Sequence, residues 1–251
     1  MLRVLSIFGL ALLLALPARA GCPASPTPAF ALPATGAAVA EGRPLTIIAF
    51  GSSSTEGFAA SGPAATYPAR LQARLREALP GRAITVINRG RGGEDVSEML
   101  PRLGRDVIAA APTLVIWQVG ANAVLRRLPP AAYEAGVGAG LERLRAAGIE
   151  TLLMDSQESP RLRAMAEDQR RFEAITARLA AVHRVPLFAR GALMRLWESQ
   201  GVPNSAVIGS DGLHHTDLGY DCVAAALADG IAAAVRPVLP AGNVAQAARP
   251  G

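Results

Sequence analysis

The sequence predicts an α/β protein: a three-layer α/β/α sandwich whose middle layer is a five-stranded parallel sheet. Three observations lead there. Five short apolar runs punctuate the chain, each is followed by a segment with helical character, and no internal repeat interrupts the alternation. Short runs without a polar alternation suit strands buried on both faces, as parallel strands are. Strands alternating with helices need crossover connections, which are right-handed and lay helices over both sides of the sheet.

The runs are LTIIAF (residues 45–50), AITVIN (83–88), TLVIWQVG (113–120), ETLLMDS (150–156) and VPLFA (185–189). In the first helical segment Tyr67, Leu71, Leu75 and Leu79 recur every four residues, and Pro80 with Gly81 stops it. Further helices are expected at about 96–110, 130–147, 163–184, 191–200 and 215–236. A chain of 251 residues, 51% apolar and 18% charged, can bury a sizeable core. One domain is expected over residues 44–237.

The two ends read differently. MLRVLSIFGLALLLALPARAG opens with Arg3, runs apolar from Val4 to Leu16, and reaches small residues at Ala18 and Ala20. This pattern is that of a cleavable secretory leader, residues 1–20, because so short an apolar run does not comfortably cross a bilayer. It implies a periplasmic or secreted protein with no membrane span once the leader is removed. A lipid anchor on Cys22 is the alternative, although Arg19 stands where that signal wants an aliphatic residue. Residues 21–43, rich in Ala, Pro, Gly and Thr, and residues 238–251 are expected to be flexible.

Charge and cysteine content narrow the function classes. The net charge is +5; Arg3 and Arg19 belong to the leader, which leaves +3, and the chain has no lysine. The arginines scatter over amphipathic stretches such as RLQARLRE, as on a solvated helix face, so no nucleic-acid partner is expected. Cys22 and Cys222 stand at opposite ends of the mature chain. In an oxidising compartment they could bridge; otherwise Cys222 is a buried thiol and Cys22 an exposed one. Two distant cysteines and three histidines make no metal-ligand cluster, so no metal is expected.

In such folds ligands bind beyond the carboxyl ends of the strands. GSSSTEG, NRGRGGED and QVGANA all follow strands directly and fall on that face. A serine nucleophile needs a base, and only His183, His214 and His215 are candidates. His183 precedes the last strand, on the opposite edge, where it reads as a cation near a helix carboxyl end. In SDGLHHTDLGY, Asp211 precedes His214 by three residues, close enough in a tight turn to fix the imidazole tautomer. The competing reading is a helix cap at Thr216 or Asp217 with idle histidines. The glycines of NRGRGGED could point backbone N–H groups into a site or merely make turns, and Asn122 could donate its amide there or bond its own loop.

As an ordered set these blocks resemble the SGNH (GDSL-type) hydrolase superfamily over residues 44–237. FGSSSTEG resembles its first block and matches Ser53 to the nucleophile; INRGRGGED resembles the second and matches Gly93, with Gly92 as alternative, to an oxyanion N–H; VGANA matches Asn122 to the oxyanion-hole asparagine; DGLHH matches Asp211 and His214 to acid and base. The phrases TYPARLQARL, LVIWQVGANAVLRRLPP and RAAGIETLLMDSQ are similar to the TesA-like arylesterases, lysophospholipases and acyl hydrolases. The resemblance implies a flavodoxin-like sheet and cofactor-free hydrolysis of a small-molecule acyl or acetyl ester, thioesters included. The oxyanion hole would be the N–H groups of Ser53 and Gly93 with the Asn122 amide.

Two positions depart from the pattern. Ser52 and Ala123 stand where aspartates are usual, and each change implies a lost loop-bracing hydrogen bond. They motivate an alternative in which the fold survives as a weak or inactive carbohydrate- or lipid-binding module. Asp155, Gln157 and Glu158, after the fourth apolar run, are polar candidates for the pocket rim or for a plain surface loop. The α/β-hydrolase elbow Gly-x-Ser-x-Gly is absent around the three serines, and GRGG lacks the third glycine and first-strand position of a dinucleotide site.

Overall fold

The computed structural model describes residues 21–236; the expected leader (1–20) and tail (238–251) lie outside them. Five strands form one sheet: β1 Leu45–Gly51, β2 Ile84–Gly90, β3 Leu114–Gln118, β4 Glu150–Met154 and β5 Leu187–Phe188. Their order is β2-β1-β3-β4-β5, all parallel. This is the flavodoxin-like order, with its switch point between β1 and β3. The helices are α1 Pro33–Ala40, α2 Ser53–Glu56, α3 Tyr67–Ala78, α4 Val96–Asp106, α5 Ala121–Leu125, α6 Pro130–Ala146, α7 Pro160–Arg163, α8 Ala166–His183, α9 Arg190–Ser199, α10 Asn204–Val207 and α11 Asp217–Val235.

Alternation along each strand divides the core in two. Leu45, Ile47, Ala49, Ile116 and Leu152 face α1, α3, α9 and α11, where Tyr67, Leu71, Trp197 and Leu227 bury. Ile48, Phe50, Val115, Trp117 and Leu153 face α4, α6 and α8, where Met99, Leu103, Tyr133 and Phe172 bury. Helix α11 is long and apolar enough to cross a membrane, yet 67% of its most apolar stretch is buried inside the protein. It is a core helix.

Residues 21–43 correct the expectation of a flexible lead-in. Cys22 is disulfide-bonded to Cys222 on α11. Phe30 packs edge-on against Phe188, and α1 starts with Pro33 and anchors its first amides, Ala34 and Thr35, on the Glu150 carboxylate at 2.8 and 2.9 Å. The order comes from partners more than a hundred residues away, which an Ala/Pro/Gly composition cannot reveal. Strand β5 is shorter than expected because Pro186 has no N–H and the Val185 amide bonds Ala180 at the end of α8. The helix expected at 163–184 is α8, and a separate short helix, α7, precedes it.

Candidate active site

Strand β1 delivers the serines through a turn that only glycine permits. A Cβ at Gly51 would lie 2.3 Å from Thr55 Oγ1 and 2.7 Å from Gln118 Oε1. Ser52 is extended, and its carbonyl accepts the Thr55 and Glu56 amides as α2 begins. The three hydroxyls then diverge. Ser52 gives both its N–H and its hydroxyl to Gln118 Oε1, at 2.9 and 3.0 Å. Ser54 Oγ accepts from Arg190 Nη1 at 3.2 Å. Ser53 Oγ faces His214 Nε2 at 2.8 Å.

His214 sits on a loop tied down at both ends. Ile208 and His215 form an antiparallel bridge, the Gly209 amide bonds His214 O, and Gln157 Nε2 donates to Leu213 O at 2.9 Å. Within this turn Asp211 Oδ2 lies 2.5 Å from His214 Nδ1, and Asp211 Oδ1 accepts the Leu213 and His214 amides at 2.9 and 3.0 Å. Burial works to raise the Asp211 pKa, but these hydrogen bonds outweigh it and hold the group below its ordinary value. An ionised carboxylate only accepts, so Nδ1 carries the proton and Nε2 keeps its lone pair for the Ser53 hydroxyl.

The structure therefore brings together Ser53, Asp211 and His214 and separates the other histidines. His215 is fully buried, with Nδ1 on Val207 O at 3.3 Å and its ring beside Tyr220. Burial, reinforced by Arg190, pushes its pKa down to about 3, so it is neutral. His183 ends α8 and lines a cavity beside Gly148 and Glu150, at the amino end of β4. Thr216 caps α11 through the Gly219 amide at 3.1 Å, while Asp217 accepts from Ser61.

The glycine turn after β2 passes over Ser53. A Cβ on Gly92 would come within 4.0 Å of Ser53 Cβ and 2.9 Å of Glu56 Oε2, and Gly93 adopts φ +78°, where glycine is favoured. Asn122, the second residue of α5, donates Nδ2 to Glu94 O at 2.8 Å. That bond fixes the amide beside the glycine turn and uses one of its two N–H groups. Of the two departures, Ser52 keeps a brace through Gln118, contrary to the expected loss, whereas Ala123 is buried among apolar neighbours. Asp155, Gln157 and Glu158 are not a rim. All three are buried: Asp155 accepts the Gly191 amide, Gln157 accepts from Arg190, and Glu158 binds Arg163 and Arg195. Burial raises the Asp155 pKa to about 7.

Sequence reasoning missed the braces. Gln118 gathers Ser52 and the Thr55 hydroxyl, and its signal was a lone amide ending an otherwise apolar strand. Arg190, fully buried, ties Ser54 to Gln157, which lies 33 residues before it in the sequence, and through Gln157 to the His214 loop. Arg102 donates to Gly51 O and Arg89 O at 3.0 and 2.9 Å, pairs with Glu94 and Asp106, and stacks on Phe50 at 4.2 Å. It joins the carboxyl ends of β1 and β2 to the segment holding Asn122. Arg102→Met leaves the Glu94 carboxylate and the Arg89 carbonyl without this donor, while Asp106 keeps Arg105 and Gly51 O keeps the Arg91 amide, and is expected to cost about 3 kcal/mol, read from the urea midpoint at constant slope.

A sheet in this order, with a serine just beyond β1 and an aspartate–histidine pair just before the last helix, defines the SGNH class of hydrolases. The chain belongs to the Non-GDSL lipase-like family, whose model matches residues 20–237. Among solved structures it is similar to a lipase/acylhydrolase from Enterococcus faecalis (20% identity, TM-score 0.66, 77% of this chain and 98% of that one). It is also similar to Axe2, an acetylxylan esterase from Geobacillus stearothermophilus (21%, 0.61, 74% and 94%). A third is LAE5, an alpha/beta hydrolase enzyme from the metagenome of Lake Arreo, Spain (22%, 0.64, 76% and 96%). At these identities the likeness concerns the fold. No curated protein matches the chain.

Proposed function

We propose that the protein hydrolyses small-molecule carboxylic esters, acyl or acetyl and including thioesters, through an acyl-enzyme on Ser53. The observation that carries this is the unbroken chain Ser53 Oγ to His214 Nε2 at 2.8 Å and His214 Nδ1 to Asp211 Oδ2 at 2.5 Å. His214 takes the hydroxyl proton as Ser53 attacks the carbonyl carbon, and Asp211 stabilises the imidazolium. The N–H groups of Ser53 and Gly93 and the remaining Asn122 N–H hold the oxyanion. His214 returns its proton to the leaving oxygen, and water, deprotonated by the same imidazole, releases the acid.

An extracytoplasmic location goes with this reading, since residues 1–20 read as a leader and the Cys22–Cys222 disulfide suits an oxidising compartment. The test uses diethyl p-nitrophenyl phosphate, a phosphorus mimic of an activated ester. The expected result is stoichiometric release of p-nitrophenol and a diethylphosphoryl group on Ser53 by peptide mass spectrometry. Labelling at Ser52 or Ser54, or none, removes the proposal.

A further inference from the structure

Phe58 is the feature that the reaction as written leaves unused. Its ring lies 4.4 Å from the His214 imidazole, centroid to centroid, and it is 53% exposed. Among the described residues only Val182, on α8, is another strongly exposed large apolar side chain. Packing of the core does not call for an aromatic there. The loop bearing it is nevertheless held firmly: Tyr220 Oη donates to Phe58 O at 2.8 Å, and the Ser61 amide donates to Asp217 at 2.8 Å. Both anchors are on α11, the helix that directly follows the His214 loop. Gly57 at φ +100° and Ala59 at φ +67° flank the residue, the latter a conformation alanine adopts only when its surroundings impose it.

The order of bond changes says what meets this ring. When the tetrahedral intermediate collapses, the leaving oxygen must receive its proton from His214 Nε2, and so must lie within hydrogen-bond reach of that atom. The carbonyl oxygen points the other way, toward Gly93 and Asn122. The group carried by the leaving oxygen therefore emerges past the imidazole, where the exposed surface is Phe58. We infer that Phe58 forms the wall of the leaving-alcohol subsite and selects esters whose alcohol portion presents an aromatic or extended apolar face. This rests on the ester-hydrolase reading above and deepens it.

The experiment holds the acyl group constant and varies the alcohol. With benzyl acetate and ethyl acetate as substrates, Phe58→Ala is expected to lower kcat/KM for the benzyl ester about 10-fold more than for the ethyl ester, as suits a ring contact of this kind. Phe58→Leu should retain most of the benzyl preference. The ratio of kcat/KM for benzyl acetate to that for benzyl butyrate should not change, because acyl length is read on the other side of Ser53. An equal loss on both acetates would mean that Phe58 acts only by supporting His214, and would overturn the inference; so would an unchanged benzyl preference or a shifted acyl ratio. Wild-type protein inert toward both acetates would instead remove the hydrolase reading, and the subsite with it.

Discussion

Ser53→Ala is expected to lower kcat for a short p-nitrophenyl ester by about 10⁶-fold, leaving only the rate that an oxyanion hole and binding supply. The size of the effect follows from how the neighbouring hydroxyls are held. Ser52 is committed to Gln118 and Ser54 to Arg190, so neither can rotate onto His214 without breaking a buried hydrogen bond. Ser52→Ala and Ser54→Ala should consequently keep most of the activity. The comparison is made on purified proteins with matching circular dichroism. Equal rates for wild type and Ser53→Ala would end the assignment of the nucleophile.

The second large effect concerns stability. Replacing both Cys22 and Cys222 by serine opens a loop spanning 200 residues. In the chain-entropy account a constraint of that length contributes roughly 5 kcal/mol. For a domain of this size the melting temperature should fall on the order of 10–20 °C. Loss should start at the segment that the bond retains, where Phe30 leaves Phe188 and Trp197 Nε1 loses Ser25 Oγ. Ser53, His214 and Asp211 are held by hydrogen bonds that the disulfide does not supply, so below the transition the variant should still hydrolyse esters. Thermal melts of the oxidised, reduced and doubly substituted proteins provide the check; superimposable curves would mean that the segment stays docked by packing alone.

What could be read from the sequence was whatever depends on periodicity or on a few chemically distinctive residues. Parallel strands are continuous apolar runs, so β1 to β4 stood out, and Asp211 with His214 did so by spacing. What escaped depends on tertiary partners. Helix α1 has an almost uniformly small-residue surface and owes its start to Glu150, a residue of β4. Arg102 and Arg190 look like the other arginines of a solvated face until the fold buries them. Asp155, Gln157 and Glu158 misled for the same reason, since charge in a post-strand segment resembles a rim when its arginine partners lie elsewhere in the sequence. The choice among Ser52, Ser53 and Ser54 came from resemblance, and the diverging hydroxyls supply its physical basis.

The separation of 161 positions between Ser53 and His214 also bears on how the protein is made. At ordinary translation speeds roughly 8–30 s separate synthesis of Ser53 from synthesis of His214. During that interval the nascent polypeptide carries an unactivated alcohol, as harmless toward cellular esters as any other serine. On the proposed reaction, a product truncated anywhere upstream of codon 214 lacks the base, so hydrolysis waits for the loop that carries His214.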